Sequence, residues 1–490
     1  MQNLGKNLFG KLRKMIEAEN KLAISWLKNG IWALALAGLY SIVLVILRTP
    51  QLSQMISDKS IFKSSLIIHV NLSVLAWLLS ITCVIWSYGS KRLYFGNILN
   101  KLALFGIVLM AISPVIGQST PIMNNYVPIL ENVLFIIGLS LFGSAILYFS
   151  ILVLVNSFHD LVATEEKFTA QVLPIVKLTS SLMYITVWGC FTLSYKEVMA
   201  LSNIFPMEID YYYELLFWSG GHLLQFVYTQ IVMFVWVVLA ELWIGKNLAY
   251  YKAYCALFII NFILSLFVFY GHLVYQMPEY EFTAFFTKHM QYCGGIAPTL
   301  LMAVLIIDIF KFTSIKKHLS FVAIAFMSSA LVFFAGGLIG ILISGINLSI
   351  PAHYHGSIVG ISIAFLGFAY IFCFHDSVTI PAQTLSRKLF TFSPSPKQSI
   401  VGDNSLCSYF KWPNIQLIII TFGQLLHIAG LALAGGYGIL RKNPDGEIAL
   451  AAKFYMGMLG GGGLIAIIGG LMFVYICVKR LYVLQIYNKY

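Results

Sequence analysis

Apolar residues fall in long blocks, separated by short polar or Pro- and Gly-containing stretches. A bilayer core takes about 20 residues of apolar helix. Twelve such blocks stand at about 30–48, 64–87, 100–117, 128–155, 171–195, 214–244, 251–275, 286–310, 319–346, 350–374, 413–436 and 454–478. The pattern predicts an all-α integral membrane protein, a bundle of twelve transmembrane helices. Ahead of it, residues 1–29 read as a basic, amphipathic cytoplasmic segment, because no short apolar core is followed by a small-residue cleavage site. Residues 30–490 then make one membrane domain, interrupted by a Ser-, Pro- and Lys-rich cytoplasmic loop at 375–412. Gly460 to Gly463 lie inside the last block with no strand before them, so close helix packing is expected there, not a phosphate cradle.

Composition narrows the function. The 490 residues are 59% hydrophobic and only 10% charged, with a mean hydropathy of +0.84. Soluble chains are about 25% charged, and 19 acidic residues cannot cover a globule of this size, which excludes a soluble enzyme. The net charge of +12 does not imply nucleic acid, since the basic residues punctuate apolar blocks instead of clustering among aromatics. The surface they imply is membrane lipid. Seven scattered Cys contain no CxxC, so no zinc ribbon, redox dithiol or covalent haem attachment is expected. With both termini in the cytoplasm, 23 of the 31 Lys and Arg fall on the cytoplasmic side, the side basic residues favour. The outer loop 437–453 is the exception, with Arg441, Lys442 and Lys453.

The histidines carry the chemistry. In this orientation seven of the ten gather toward the outer ends of spans: His69, His222, His272, His289, His353, His355 and His427. Ionisable residues inside membranes are rare and mark functional sites. Neutral imidazole ligates metals and haem iron. His353 and His355 are two residues apart, which on a helix of 3.6 residues per turn turns them about 200° from each other. One helix therefore offers imidazoles to two planar cofactors, one on each flank. His222, Gln225 and Thr229 share a helix face, as do His289 and Tyr292.

Twelve spans with His in the second, sixth, seventh and tenth, and His-x-His in the tenth, resemble subunit I of the haem–copper oxidases. The strings HVNLSVLAWLLS from His69, WSGGHLLQFVYT around His222 and IPAHYHGSIVGISIAFLGFAY around His353 strengthen the likeness, which covers the chain from the first span to the last. The resemblance is to the divergent branches of the family. It implies that His69 and His355 are the axial ligands of a low-spin haem and that His353 is the proximal ligand of a high-spin haem; the sequence does not fix the haem types, and b type is the expectation for the low-spin one. It implies that His222 and His272 bind a second metal, copper or iron, with His289 and Gln225 as further candidate ligands. Arg441 and Lys442 match a pair that binds haem propionates, for which charge-assisted hydrogen bonds suit them.

Two positions depart from the family. Where the family has two adjacent His in the seventh span, this chain has Gly271 and His272. Where it most often has the tyrosine linked to a metal-ligand His, this chain has Phe226. Tyr228 and Tyr292 are the candidates for a relocated tyrosine, Tyr292 the better one. The implied function is the catalytic subunit of a respiratory terminal oxidase in a bacterial inner membrane, reducing O2 to water with catalytic His353, His222 and His272. Its electrons would come from a second subunit, cytochrome c or quinol. The two departures keep open a nitric oxide reductase of the same superfamily. A cofactor-free twelve-span transporter and a non-catalytic haem-binding subunit are further alternatives.

Overall fold

The computed structural model describes residues 2–48, 60–88, 93–163, 168–311, 320–343, 345, 347–374, 411–438 and 450–487. Arg441, Lys442 and most of the loop 375–412 lie outside the described residues. In chain order the helices are α1 (Gln2–Arg48), α2 (Ser60–Val70), α3 (Trp77–Ser87), α4 (Gly96–Ile112), α5 (Val133–Ala163), α6 (Phe168–Ser202), α7 (Ile209–Ile244), α8 (Tyr251–Ser265), α9 (Val268–Val274), α10 (Tyr280–Cys293), α11 (Ile296–Lys311), α12 (Phe321–Ile341), α13 (Ser349–Cys373), α14 (Lys411–Gly436) and α15 (Leu450–Tyr487). A short antiparallel hairpin, β1 (Thr120–Ile122) and β2 (Ile129–Glu131), sits between α4 and α5.

Three pairs of these helices, α2/α3, α8/α9 and α10/α11, each make up a single apolar span. Among the described residues there are therefore twelve segments long and apolar enough to cross a membrane. This agrees with the sequence reading. The first span begins at Lys21, and α1 continues in front of it without a break.

The interruptions have local causes. Between α2 and α3 the chain widens into a π-helix over Asn71–Ala76. Asn71 Nδ2 donates to the carbonyl of Ile67 at 2.9 Å, and Ser73 Oγ donates to that of His69 at 2.6 Å. Side chains thus compete with backbone N–H groups for the carbonyls of this turn. Such wide turns recur at functional sites. Between α10 and α11, Pro298 lacks an N–H and would collide with the carbonyl of residue 294 in a continuous helix. The chain breaks there at Gly294 and Gly295.

The fold divides into two compact units. The first comprises residues 1–37, 58–231 and 250–301, and the second residues 38–57, 232–249 and 302–490. In the first, α5 packs between α4 and α6, and α6 packs on α8. In the second, α12, α13, α14 and α15 pack in sequence, with α12 also against α14. The α12/α13 contact is close: a Cβ on Gly336 would lie 2.7 Å from the Cα of Gly356. Asn347 Oδ1 accepts the backbone N–H of Ser349 at 2.8 Å and so opens α13. Pro351 is tolerated in its first turn, and His353 follows two residues later.

Candidate functional site

Four of the histidines singled out by the sequence share one arrangement. His69 Nδ1 donates to the carbonyl of Ala37 at 3.0 Å, and His222 Nδ1 to that of Trp218 at 2.8 Å. His353 Nδ1 donates to Gly336 and His427 Nδ1 to Leu459, each at 2.8 Å. A carbonyl can only accept, so the proton is on Nδ1 and the lone pair on Nε2. This is the tautomer and fixed ring orientation of a metal-ligating histidine.

In the second unit, α13 turns its two histidines to different neighbours. His353 reaches α12, where a Cβ on Gly340 would come within 2.5 Å of His353 Nδ1. Gly336 thus lets the helices approach and its carbonyl accepts the hydrogen bond from His353 Nδ1, while Gly340 leaves room for the ring. His355 packs edge-to-face on His427 of α14, ring centroids 4.8 Å apart. The divergence follows from the 200° separation. Gly462 and Gly463 of α15 leave room for His427, the close packing expected of the glycine run.

In the first unit, His222 lies on α7, His272 on α9 and His289 on α10. His222 and His289 are 4% and 6% exposed. The Phe286 ring packs against both His222 and His272, at 6.0 and 5.7 Å. His289 is stacked between Phe226 at 5.0 Å and Phe285 at 5.9 Å. Its Nε2 donates to the carbonyl of Leu264 at 2.8 Å, while its Nδ1 is buried with no partner, as are both ring nitrogens of His272. The Glu197 carboxylate is 3.8 Å from His272 Nδ1, beyond hydrogen-bond reach. Buried imidazole nitrogens without partners are costly and fit a group not present among the protein's own atoms. Among the described residues no group of three or more His, Cys, Asp or Glu side chains is placed so as to hold a metal ion. Gln225 lies half-buried one turn beyond His222.

The structure corrects one expectation and explains another. Tyr292 does not share the buried face of His289, for it is 67% exposed. Helix α10 commits a narrow stripe of Phe282, Phe286 and His289 to the interior, and Tyr292 lies past its edge. Tyr228 is fully buried and its hydroxyl has no partner. A Cβ on Gly271 would come within 2.6 Å of Phe286 and 2.7 Å of Phe285. The space a second adjacent histidine would need is filled.

Sequence reasoning missed Tyr126. It sits in the β1/β2 loop, and its hydroxyl donates to His222 Nε2 at 2.8 Å. The nearest sequence signal was the Gly220-Gly221 pair before His222, since a Cβ on Gly221 would strike the Tyr126 ring.

The family profile of cytochrome c and quinol oxidase polypeptide I matches residues 21–472. The chain belongs to this family, that of haem–copper oxidase subunit I. It is thus an integral membrane protein of a family of oxidoreductases that bind haems and copper or iron. It is 40% identical to an uncharacterized protein of Rickettsia prowazekii, over 95% of this chain and 97% of the relative. It is 23% identical to an uncharacterized protein of Aquifex aeolicus, over 71% of this chain and 83% of that one. The fold resembles a solved haem–copper terminal oxidase dimer with a TM-score of 0.63 at 14% identity, covering 94% of this chain and 84% of that one.

Proposed function

We propose that this chain is the catalytic subunit of a membrane terminal oxidase that reduces O2 to water. The observation that carries the reading is the shared tautomer of His69, His222 and His353, each with Nδ1 on a backbone carbonyl and the lone pair on Nε2. In this reading His69 and His355 hold a low-spin haem, and His353 holds a high-spin haem. His222 and His272 hold a second metal, copper or iron, with His289 and Gln225 beside them. When bound, the haems and the metal supply the electron transfer and the contact with the gas.

The protein's own part is positioning and exclusion. Gly336 and Gly340 fix the His353 ring, and the His427 ring braces His355. Phe226, Phe285 and Phe286 keep water from the histidines of the first unit. Arg441 and Lys442, outside the described residues, would bind the propionates. Electrons would come from a second subunit, cytochrome c or quinol, in a bacterial inner membrane with both termini in the cytoplasm.

Two observations favour nitric oxide as a second substrate. Phe226 stacks on His289 where a tyrosine would be needed, and Gly271 has no room for another ligand. Converting two NO to N2O and water takes two electrons and two protons, whereas converting O2 to two waters takes four of each.

Reduced-minus-oxidised and CO-difference spectra of the purified protein, with metal analysis, test the reading. The expected result is two haems per chain, one low-spin and one that binds CO. A folded but colourless preparation would overturn it.

A further inference from the structure

We propose that Tyr126 is an oxygen ligand of the second metal, beside His222. The inference rests on the functional reading above, and the experiment below separates its failure from the failure of that reading.

His222 has one nitrogen to offer. Nδ1 is committed to the Trp218 carbonyl, so a metal can only meet Nε2. The Tyr126 hydroxyl stands 2.8 Å from Nε2. Two donors bound to one metal at about 2.0 Å each are about 2.8 Å apart at the right angle of a tetragonal Cu(II) site and about 3.3 Å apart at the tetrahedral angle. The 2.8 Å between the Tyr126 oxygen and His222 Nε2 is close to the span of two ligands of one metal once the metal replaces the hydrogen-bonding proton. A metal taken up on Nε2 either replaces the phenolic proton, which is released to water as the oxygen–metal bond forms, or displaces the whole side chain.

The second course is obstructed by how Tyr126 is held. Asn124 Oδ1 accepts the backbone N–H groups of Tyr126 and Val127, at 3.0 and 2.8 Å. Asn125, the next residue, donates from its backbone N–H to Glu214 Oε2 at 2.9 Å, and its side chain donates to Oε1 of the same carboxylate. Glu214 is on α7, two turns before His222. Asn71 Nδ2, in the π-turn beyond His69, donates to the carbonyl of Pro128 at 2.8 Å. The Tyr126 ring lies in the notch of Gly221 and meets Trp218 edge-on at 5.7 Å. A ring pinned from three elements keeps its oxygen at Nε2.

The partnerless nitrogens of His272 and His289 on the neighbouring helices point independently to a metal in this region. An oxygen donor from the hairpin also answers the loss at Gly271. The family position cannot hold a second histidine here, and a ligand arrives from outside the helices instead.

The test uses the full chain purified in detergent, as wild type and as Tyr126→Phe, Tyr126→His and Tyr228→Phe. Non-haem copper and iron per haem are measured, before and after chelation and reloading with Cu(II) or Fe(II). The oxidised protein is scanned for a phenolate-to-metal charge-transfer absorption. The wild type should hold about one non-haem metal per two haems and show that absorption. Tyr126→Phe should lose the absorption and require at least tenfold more free metal for reloading. Tyr126→His should keep the metal and lose the absorption, and Tyr228→Phe should keep both. Metal content and absorption unchanged in Tyr126→Phe, or absorption retained in Tyr126→His, would overturn the proposal, as would a metal-loaded wild type without the absorption. If Tyr126→Phe does not fold, Tyr126→His decides alone. A wild type without haem overturns the functional reading itself, whereas haem and metal that are indifferent to Tyr126 overturn only this inference.

Discussion

The imidazoles of His355 and His427 meet edge-to-face, with centroids 4.8 Å apart and planes at 69°. His427 is itself fixed, by its Nδ1 hydrogen bond to Leu459 and by the notch at Gly462 and Gly463. The contact makes His427 the brace that sets the ring plane of His355. Replacing His427 by Ala should weaken haem retention at His355 about tenfold or more, the usual cost of losing a residue that orients a ligand. Haem titration of the refolded or haem-depleted protein measures this. Retention equal to wild type would show that the ring contact does not orient His355.

In the proposed reading the divergence of His353 and His355 separates the two haems. His69→Ala or His355→Ala should remove the low-spin spectrum and leave CO binding. His353→Ala should chiefly remove the CO-binding signal. CO-difference spectra of the three variants check this, and a low-spin loss confined to His353→Ala would reverse the assignment.

Gly340 gives a gentler handle on the same site. A methyl group there would sit 2.5 Å from His353 Nδ1, so Gly340→Ala must push the ring or the helices apart, at about 1–3 kcal/mol. The expected outcome is a shifted or diminished CO-difference spectrum with an unchanged low-spin spectrum. Gly337, whose Cβ would meet nothing within 4 Å, supplies the control Gly337→Ala, which should leave both spectra unchanged.

Asn71 joins the π-turn after His69 to the hairpin that carries Tyr126. It is 1% exposed and donates to both Ile67 and Pro128. Asn71→Leu removes both bonds and leaves buried carbonyls short of a donor, which should cost about 1–3 kcal/mol. The thermal midpoint in detergent should fall, and the low-spin spectrum should broaden, because the wide turn begins two residues after His69.

The gas can be decided by rates. With one electron donor, NO should be consumed at least as readily as O2. Tyr292→Phe should change neither rate, since that side chain points away from the site. Fast O2 turnover abolished by Tyr292→Phe would contradict its placement. Fast O2 turnover unaffected by Tyr126→Phe and by Tyr228→Phe would show that the reaction needs no tyrosine here.

Much of this protein is written in its local sequence. Twelve apolar blocks give twelve spans because a helix must satisfy its own backbone hydrogen bonds in lipid, a requirement each segment meets alone. The opposed directions of His353 and His355 follow likewise from helical geometry over two residues. The packing role of Gly462 could be inferred because no strand precedes the glycine run. What the sequence could not supply is which distant side chains meet. The Tyr126 hydroxyl reaches His222 across 96 positions of chain, through a hairpin whose β character is too short to register as a pattern. The inward stripe of α10, which takes His289 and leaves Tyr292 outside, is fixed by what packs on that helix, not by the three-residue spacing. The filling of the Gly271 notch by Phe285 and Phe286 depends on how α9 and α10 lie together after the turn between them. Periodicity fixes directions along one helix, while the contacts that make a site depend on neighbours brought by the tertiary fold.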